Sequence, residues 1–183
     1  MNNKRADDVR VAYPLFQEES GGSTPTSALQ LFIDLIPKRT FKSLNKKWHS
    51  RLPLCDGCFG GKFFGATYEG IIYAVAWWSS PVARGNNNKG MYELRRLAIC
   101  PESPKNTASF MLGYMRKYIK KTMPEVRILI SYQDTEVHTG TIYKASGWKP
   151  IGYSTVGNLG WTSRPNRTNQ SEADKVRWEY KLR

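Results

Sequence analysis

The chain has 183 residues, with 28 Lys and Arg against 15 Asp and Glu and a formal net charge of +13. That length suits one domain with a sizeable core, since such chains bury roughly 70% of their unfolded surface, so a single unit over 1–183 is expected. No apolar run nears the ~20 residues a bilayer needs, and the start Met-Asn-Asn-Lys-Arg-Ala-Asp-Asp lacks a signal-peptide core, which predicts a cytoplasmic protein.

The positive charge predicts a polyanionic partner. Nucleic acid is favoured over membrane, because no basic amphipathic anchor is present. Three cysteines without a secretion signal point to reduced thiols rather than a disulfide framework.

In chain order, residues 9–16 read as a first strand, followed by a polar loop. Ala28, Leu31, Phe32 and Leu35 recur at helical spacing, Pro37 breaks or restarts the helix, and Phe41, Leu44 and Trp48 continue on one face. Two helices are therefore expected before His49. Residues 38–51 hold six basic residues and no acid. Lys42, Lys46, Lys47 and Arg51 are interleaved there with Phe41 and Trp48, a mixture that suits phosphate contact plus stacking on an exposed base. Cys55-Asp56-Gly57-Cys58 is a lone C-x-x-C. Zinc needs four ligands, and only His49 and Cys100 are available to complete the set, so two free thiols in a turn are expected.

Residues 62–68 and 71–78 are aromatic and β-branched and are separated only by Glu69-Gly70, which predicts a hairpin. A loop over 79–90 leads to a strand at 92–99. From Asn106, the residues Ala108, Met111, Leu112, Met115 and Ile119 form one helical face, and Pro124 ends that helix. A strand at 126–132 follows, and the strand-helix-strand order predicts parallel pairing with 92–99. Strands are expected again at 149–154 and 176–182, on either side of a mobile segment at about 157–173.

Asp134 falls just past the C-terminal end of a predicted parallel strand, where α/β sheets place ligands and catalytic groups. Glu93 starts the neighbouring strand. Either carboxylate is suited to accepting a proton from an amine, or to pairing with Arg95 or Arg96. Lys105, Asn106, Thr107 and Ser109 stand where a helix N-terminus can hold a phosphate, although Asn106 is equally explained as an N-cap.

Glu93-Leu94-Arg95-Arg96-Leu97, then Pro104-Lys105-Asn106-Thr107-Ala108-Ser109, then Ser131-Tyr132-x-Asp134-x-x-x-His138-Thr139-Gly140-Thr141-Ile142-Tyr143-x-Ala145-Ser146-Gly147-Trp148 resembles the GNAT acyltransferase core. In its detailed wording the block is similar to one divergent branch, the phage Mom family of DNA adenine-modification proteins. The resemblance implies an α/β fold with a mixed central sheet flanked by helices. It also implies a transferase that converts adenine in duplex DNA to N6-carbamoylmethyladenine in the host bacterial cytoplasm and so shields phage DNA from restriction. Acetyl-CoA is the implied cofactor, with Leu97 and Ile99 on the strand and Lys105, Asn106, Thr107 and Ser109 at the helix start as its seat. The turn departs from the usual Gln/Arg-x-x-Gly-x-Gly/Ala pattern.

By the same resemblance, Tyr143 is a general acid, Asp134 and Glu93 are carboxylates of the site, and Ser131, Tyr132 and His138 are further candidates. Trp48-His49-Ser50 resembles a His-Tyr-Ser segment of the family, with the Tyr absent. His49 is then a base or, as the family suggests, a ligand for a redox metal such as iron. Asp134, Tyr143, Glu93 and His49 are expected to converge on one cleft, with Trp48, Trp77, Trp78 and Trp161 as candidates to stack on a flipped base. Two other functions remain open at this point: a conventional GNAT N-acetyltransferase acting on a protein or small-molecule amine, and a non-catalytic DNA-binding protein on this fold.

Overall fold

The computed structural model describes residues 23–55, 60–81, 90–154 and 174–183. The expected strand at 9–16, the segment at 157–173 and Trp161 lie outside the described residues.

A seven-stranded sheet organises the described residues. β1 (Phe32–Leu35), β2 (Lys62–Tyr68), β3 (Ile71–Ser79), β4 (Met91–Ile99), β5 (Ile128–Asp134), β6 (Lys149–Ser154) and β7 (Lys175–Lys181) lie in the order β1-β2-β3-β4-β5-β7-β6. Among the described residues three α-helices cover it: α1 (Lys38–Trp48), α2 (Thr107–Thr122) and α3 (Thr141–Ala145). The mixed α/β class expected from the sequence is the observed one.

The β2–β3 hairpin closes on Glu69 and Gly70, both at positive φ (47° and 80°), as a two-residue turn matched to strand twist requires. The first of the two expected helices is absent. Ala28–Gln30 is a single 3-10 turn closed by a Ser27/Gln30 capping box, and Phe32–Leu35 is an edge strand paired antiparallel with β2. Phe-Ile-Asp-Leu alternates as well as it spirals. With Ile33 buried and Phe32 65% exposed, the open edge of β2 decided between the two periods. Pro37 is the N-cap residue of α1.

The sheet separates two cores. On one face α2 brings Met111, Leu112, Met115 and Ile119 against Trp78, Leu94, Leu129, Trp148 and Trp178. On the other, Phe41 of α1 packs with Ile36, Phe63, Val75, Trp77 and Ala98. Trp77 and Trp78 are thus core residues, which removes both from the base-stacking candidates. Trp78 is fully buried and stacks on Tyr92 at 6.0 Å.

β4 and β5 are the one parallel pair among the described residues, as the strand-helix-strand order predicts. Their ladder is short, running only from Met91↔Ile128 to Leu94↔Ser131. β4 continues to Ile99 and β5 to Asp134, so the two strands part beyond Leu94 and Ser131. A register shift against β3 falls at the same place, with Trp78 opposite Leu94 and Trp77 opposite Arg96. The extra residue, Arg95, bulges where the strands begin to separate. β7 pairs antiparallel with both β5 and β6. No helix among the described residues is long and apolar enough to cross a membrane.

Candidate active site

The gap between β4 and β5 opens onto both faces of the sheet. Strand alternation decides which side chain meets which face. On β5, Leu129, Ser131 and Gln133 face α2 and α3, while Ile130, Tyr132 and Asp134 face the α1 side. On β4 beyond the bulge, Leu97 and Ile99 pack with the α2 core and Ala98 with the α1 core, so Arg96 belongs to the α1 side.

On the α2/α3 face the Tyr143 hydroxyl lies 2.8 Å from Ser131 Oγ, and Ser131 in turn donates to Leu94 O at 3.4 Å. This short chain ends where the β4–β5 ladder stops. Tyr143 is buried, stacked on Trp178 at 5.3 Å and edge-on to Trp148 at 5.6 Å. Burial raises its pKa above the ordinary phenol value, partly opposed by the Ser131 bond, so the hydroxyl keeps its proton at neutral pH. Gly140 begins α3 at φ 74°. A Cβ there would stand 2.5 Å from Gln133 Oε1 and 2.6 Å from the Trp178 ring. Only glycine therefore lets this turn close on the Gln133–Trp178 pair, which is itself bonded at 2.7 Å.

Beside it lies a cleft of about 200 Å³. Ile99 lines it from β4, Pro104, Asn106, Thr107, Ala108 and Ser109 from the start of α2, and Thr141, Ile142 and Ala145 from α3. Asn106 holds the N-cap position at φ 67° without a side-chain cap bond, so its side chain does not take up the first amides of α2. The Thr107 and Ser109 hydroxyls donate to Pro104 O (2.7 Å) and Asn106 O (3.0 Å). Of the residues expected at a cofactor seat, Ile99, Asn106, Thr107 and Ser109 line this cleft. Leu97 packs into the core instead, and Lys105 is exposed beside the turn. Sequence reasoning missed Thr141, Ile142 and Ala145, although Ala145 stands four residues after Thr141 and three after Ile142, the spacings that bring helix side chains together.

On the α1 face Arg51 Nε stands 3.3 Å from Asp134 Oδ2, and the same guanidinium pairs with Glu136. Asp134 also opens a turn. Its Oδ1 accepts from Glu136 N at 3.0 Å, its carbonyl accepts from His138 N at 3.1 Å, and the Gln133 amide donates to His138 O. His49 is half-buried, and its pKa is lowered to about 4, first by burial and then by the charges of Arg96 and His138. Burial and Arg95 lower Arg96 to about 10, and its buried Nε has no hydrogen-bond partner among the described residues. His49, Arg51, Arg96, Asp134 and His138 therefore meet on one side of the gap.

The expected single cleft is in fact divided. Tyr143 is on the α3 side with Ser131, while Asp134, Tyr132 and His49 are on the α1 side, joined only through the gap. Glu93 is removed from Asp134 as well. It sits opposite Ile130 inside the ladder, about 13 Å along the strand at ~3.3 Å per residue. Buried there, it pairs with Arg95 Nε at 3.5 Å.

His49 does not fit iron. Its Nδ1 accepts from Leu52 N at 3.2 Å, the Arg96 guanidinium nearby opposes a further cation, and no group of three or more His, Cys, Asp or Glu side chains gathers among the described residues. Cys55 is disulfide-bonded, against the expected free thiols, while Cys100 is free, buried and bonded to Glu102 at 2.5 Å. In α1, Lys46 and Lys47 are exposed, Lys42 is half-exposed, and Trp48 packs against the smaller core.

The fold is shared with acetyltransferases. An IAA acetyltransferase from Bacillus cereus superposes with a TM-score of 0.60 at 13% identity, covering 82% of this chain and 99% of its own. A Bacillus subtilis acetyltransferase in complex with CoA gives 0.62 at 13%, covering 84% and 99%. The ribosomal-protein-S18-alanine N-acetyltransferase from Escherichia coli gives 0.60 at 12%, covering 83% and 94%. The architecture is therefore that of the GNAT acetyltransferases. Among curated proteins none matches the sequence. Residues 30–176 match the Mom protein family, and the chain belongs to it.

Proposed function

We propose that this protein is a transferase that modifies adenine in duplex DNA, replacing one N6 hydrogen with a carbamoylmethyl group. The observation that carries the proposal is the match of residues 30–176 to the Mom family, in a chain whose β4–β5 gap has a cleft on one face and a cationic helix on the other.

The α2/α3 cleft suits an acyl-CoA. The amides at the start of α2 have no side-chain cap, they carry the positive end of the helix dipole, and the exposed Lys105 adds charge beside them. An acyl-CoA bound there would supply a thioester-activated two-carbon unit, and the carbamoylmethyl product further requires two co-reactants, an amine donor for its amide nitrogen and a two-electron oxidant for the carbon that becomes bonded to N6. Tyr143 holds a proton at the inner end of the gap, and Ser131, itself donating to the Leu94 carbonyl, orients its hydroxyl. Asp134, on the far side, is placed to accept the proton of an amine that enters from the α1 face. Lys42, Lys46, Lys47 and Arg51 provide the phosphate contacts there. A base inside a duplex reaches this site only after extrusion from the stack.

A second reading, acetyl transfer to a protein or small-molecule amine, is favoured by the acetyltransferase names of the structural neighbours and uses the same cleft. Expression in a bacterium followed by enzymatic digestion of its DNA separates the two. A modified deoxyadenosine, together with resistance of that DNA to several restriction enzymes, is expected. Unmodified DNA alongside an acetylated cellular protein supports the second reading.

A further inference from the structure

His49 is held rigidly. Its own amide donates to Asn45 O at 2.9 Å as α1 ends, and its Nδ1 accepts from Leu52 N at 3.2 Å. Asn45, fully buried, donates from Nδ2 to Leu52 O at 3.1 Å and Pro53 O at 3.0 Å. The backbone that supplies the donor to His49 is thus clamped to the helix that carries His49.

A neutral imidazole has one N–H and one lone pair. The Leu52 amide occupies the lone pair of Nδ1, which leaves the proton on Nε2. We infer that His49 serves the site as a neutral hydrogen-bond donor through Nε2, and that its partner is an acceptor nitrogen of the substrate base next to the reacting amino group. A base or a metal ligand at Nε2 needs a lone pair there, and the tautomer that provides one turns Nδ1–H against Leu52 N–H. His49 lies on the α1 side with Asp134, Arg51 and Arg96, away from the cofactor cleft, so the base and not the acyl group is what it meets. Adenine carries ring acceptors on either side of its N6 amino group, with N7 on the major-groove edge. A donor to one of them draws electron density from the ring and makes N6–H more acidic, which assists Asp134. Burial and then the Arg96 guanidinium keep the ring neutral. The identity of the acceptor rests on the adenine function proposed above; the tautomer does not.

Long-range proton–nitrogen NMR spectra of the full chain at neutral pH should show His49 with Nδ1 unprotonated and Nε2 protonated. An Nδ1–H tautomer or an imidazolium overturns the inference. Adding an adenine-containing duplex should move the Nε2 proton downfield, and replacing adenine by 7-deazaadenine or by 1-deazaadenine should abolish the shift in one case. A shift retained with both analogues removes the base contact. In cells, His49→Gln, whose amide nitrogen reaches the Nε2 position, should retain at least about tenfold more deoxyadenosine modification than His49→Asn, whose amide reaches only Nδ1, because a single hydrogen bond to the reacting group is worth that order. Equal loss in both refutes the donor role, whereas absence of modified deoxyadenosine with the wild type refutes the adenine function instead.

Discussion

Arg51 Nε and Asp134 Oδ2 lie 3.3 Å apart, so the turn that leaves α1 is ionically tied to the C-terminal end of β5. The pair joins the cationic segment to the carboxylate proposed to accept the substrate proton. Arg51 is 39% exposed and Asp134 only 11%, so DNA phosphate can reach the guanidinium while the carboxylate stays within the site.

Arg51→Ala should therefore change stability by no more than ~1 kcal/mol, as half-exposed ion pairs do. Its effect should appear in DNA binding, where each lost phosphate contact lowers the slope of log affinity against log salt by ~0.9. The triple Lys42, Lys46 and Lys47→Ala variant should flatten the slope further. Salt titrations of duplex binding measure both, and an unchanged slope assigns these residues to solubility.

Tyr143→Phe should keep the stack on Trp178 and lose the bond to Ser131. Loss of a positioned proton donor typically lowers rate by ~10²–10⁴-fold, while one neutral hydrogen bond is worth ~1 kcal/mol of stability. Adenine modification measured beside thermal unfolding distinguishes the two effects. Full activity in the Phe variant removes the hydroxyl from the chemistry.

Asn45→Ala removes both donors that hold the Leu52 and Pro53 carbonyls. Leaving part-buried carbonyls unsatisfied costs ~1–3 kcal/mol, readable as a shift in the denaturant midpoint. Modification should fall more than stability does, because the Leu52 amide that orients His49 loses its anchor.

His49 also makes stability depend on pH. Its folded pKa, about 4, is below the ordinary 6.5, so between these values the unfolded chain binds the proton and the folded chain does not. The contribution of this group is steady above pH 6.5 and is lost as pH falls toward 4, with a slope of at most ~1.4 kcal/mol per pH unit. His49→Gln should flatten that window in unfolding free energy measured against pH. An equal slope in both proteins places the titration elsewhere.

Much of this architecture was legible because local signals agreed. Glu69-Gly70 between two β-rich runs predicts the hairpin, and the strand-helix-strand order predicts the parallel pairing of β4 with β5. Phe32–Leu35 reads as helical in the sequence because four residues cannot distinguish a period of 2 from 3.6, and the edge of β2 decides for the strand. The site was legible as residues but not as geometry. Sequence spacing placed Asp134 and Tyr143 in one cleft, whereas β5 alternation and the parting of β4 from β5 put them on opposite faces. Trp77 and Trp78 look like stacking platforms in a basic chain until the two cores are assembled around them. The Arg51–Asp134 pair had no local signal, since only the fold brings α1 to β5.

The measurement that tests the central claim most directly is nucleoside analysis of DNA from cells making equal soluble amounts of wild type or Asp134→Asn protein. Wild type should yield N6-carbamoylmethyldeoxyadenosine, and Asp134→Asn should yield none while melting and binding duplex DNA close to wild type. Unmodified deoxyadenosine in both, or equal modification in both, would contradict the account.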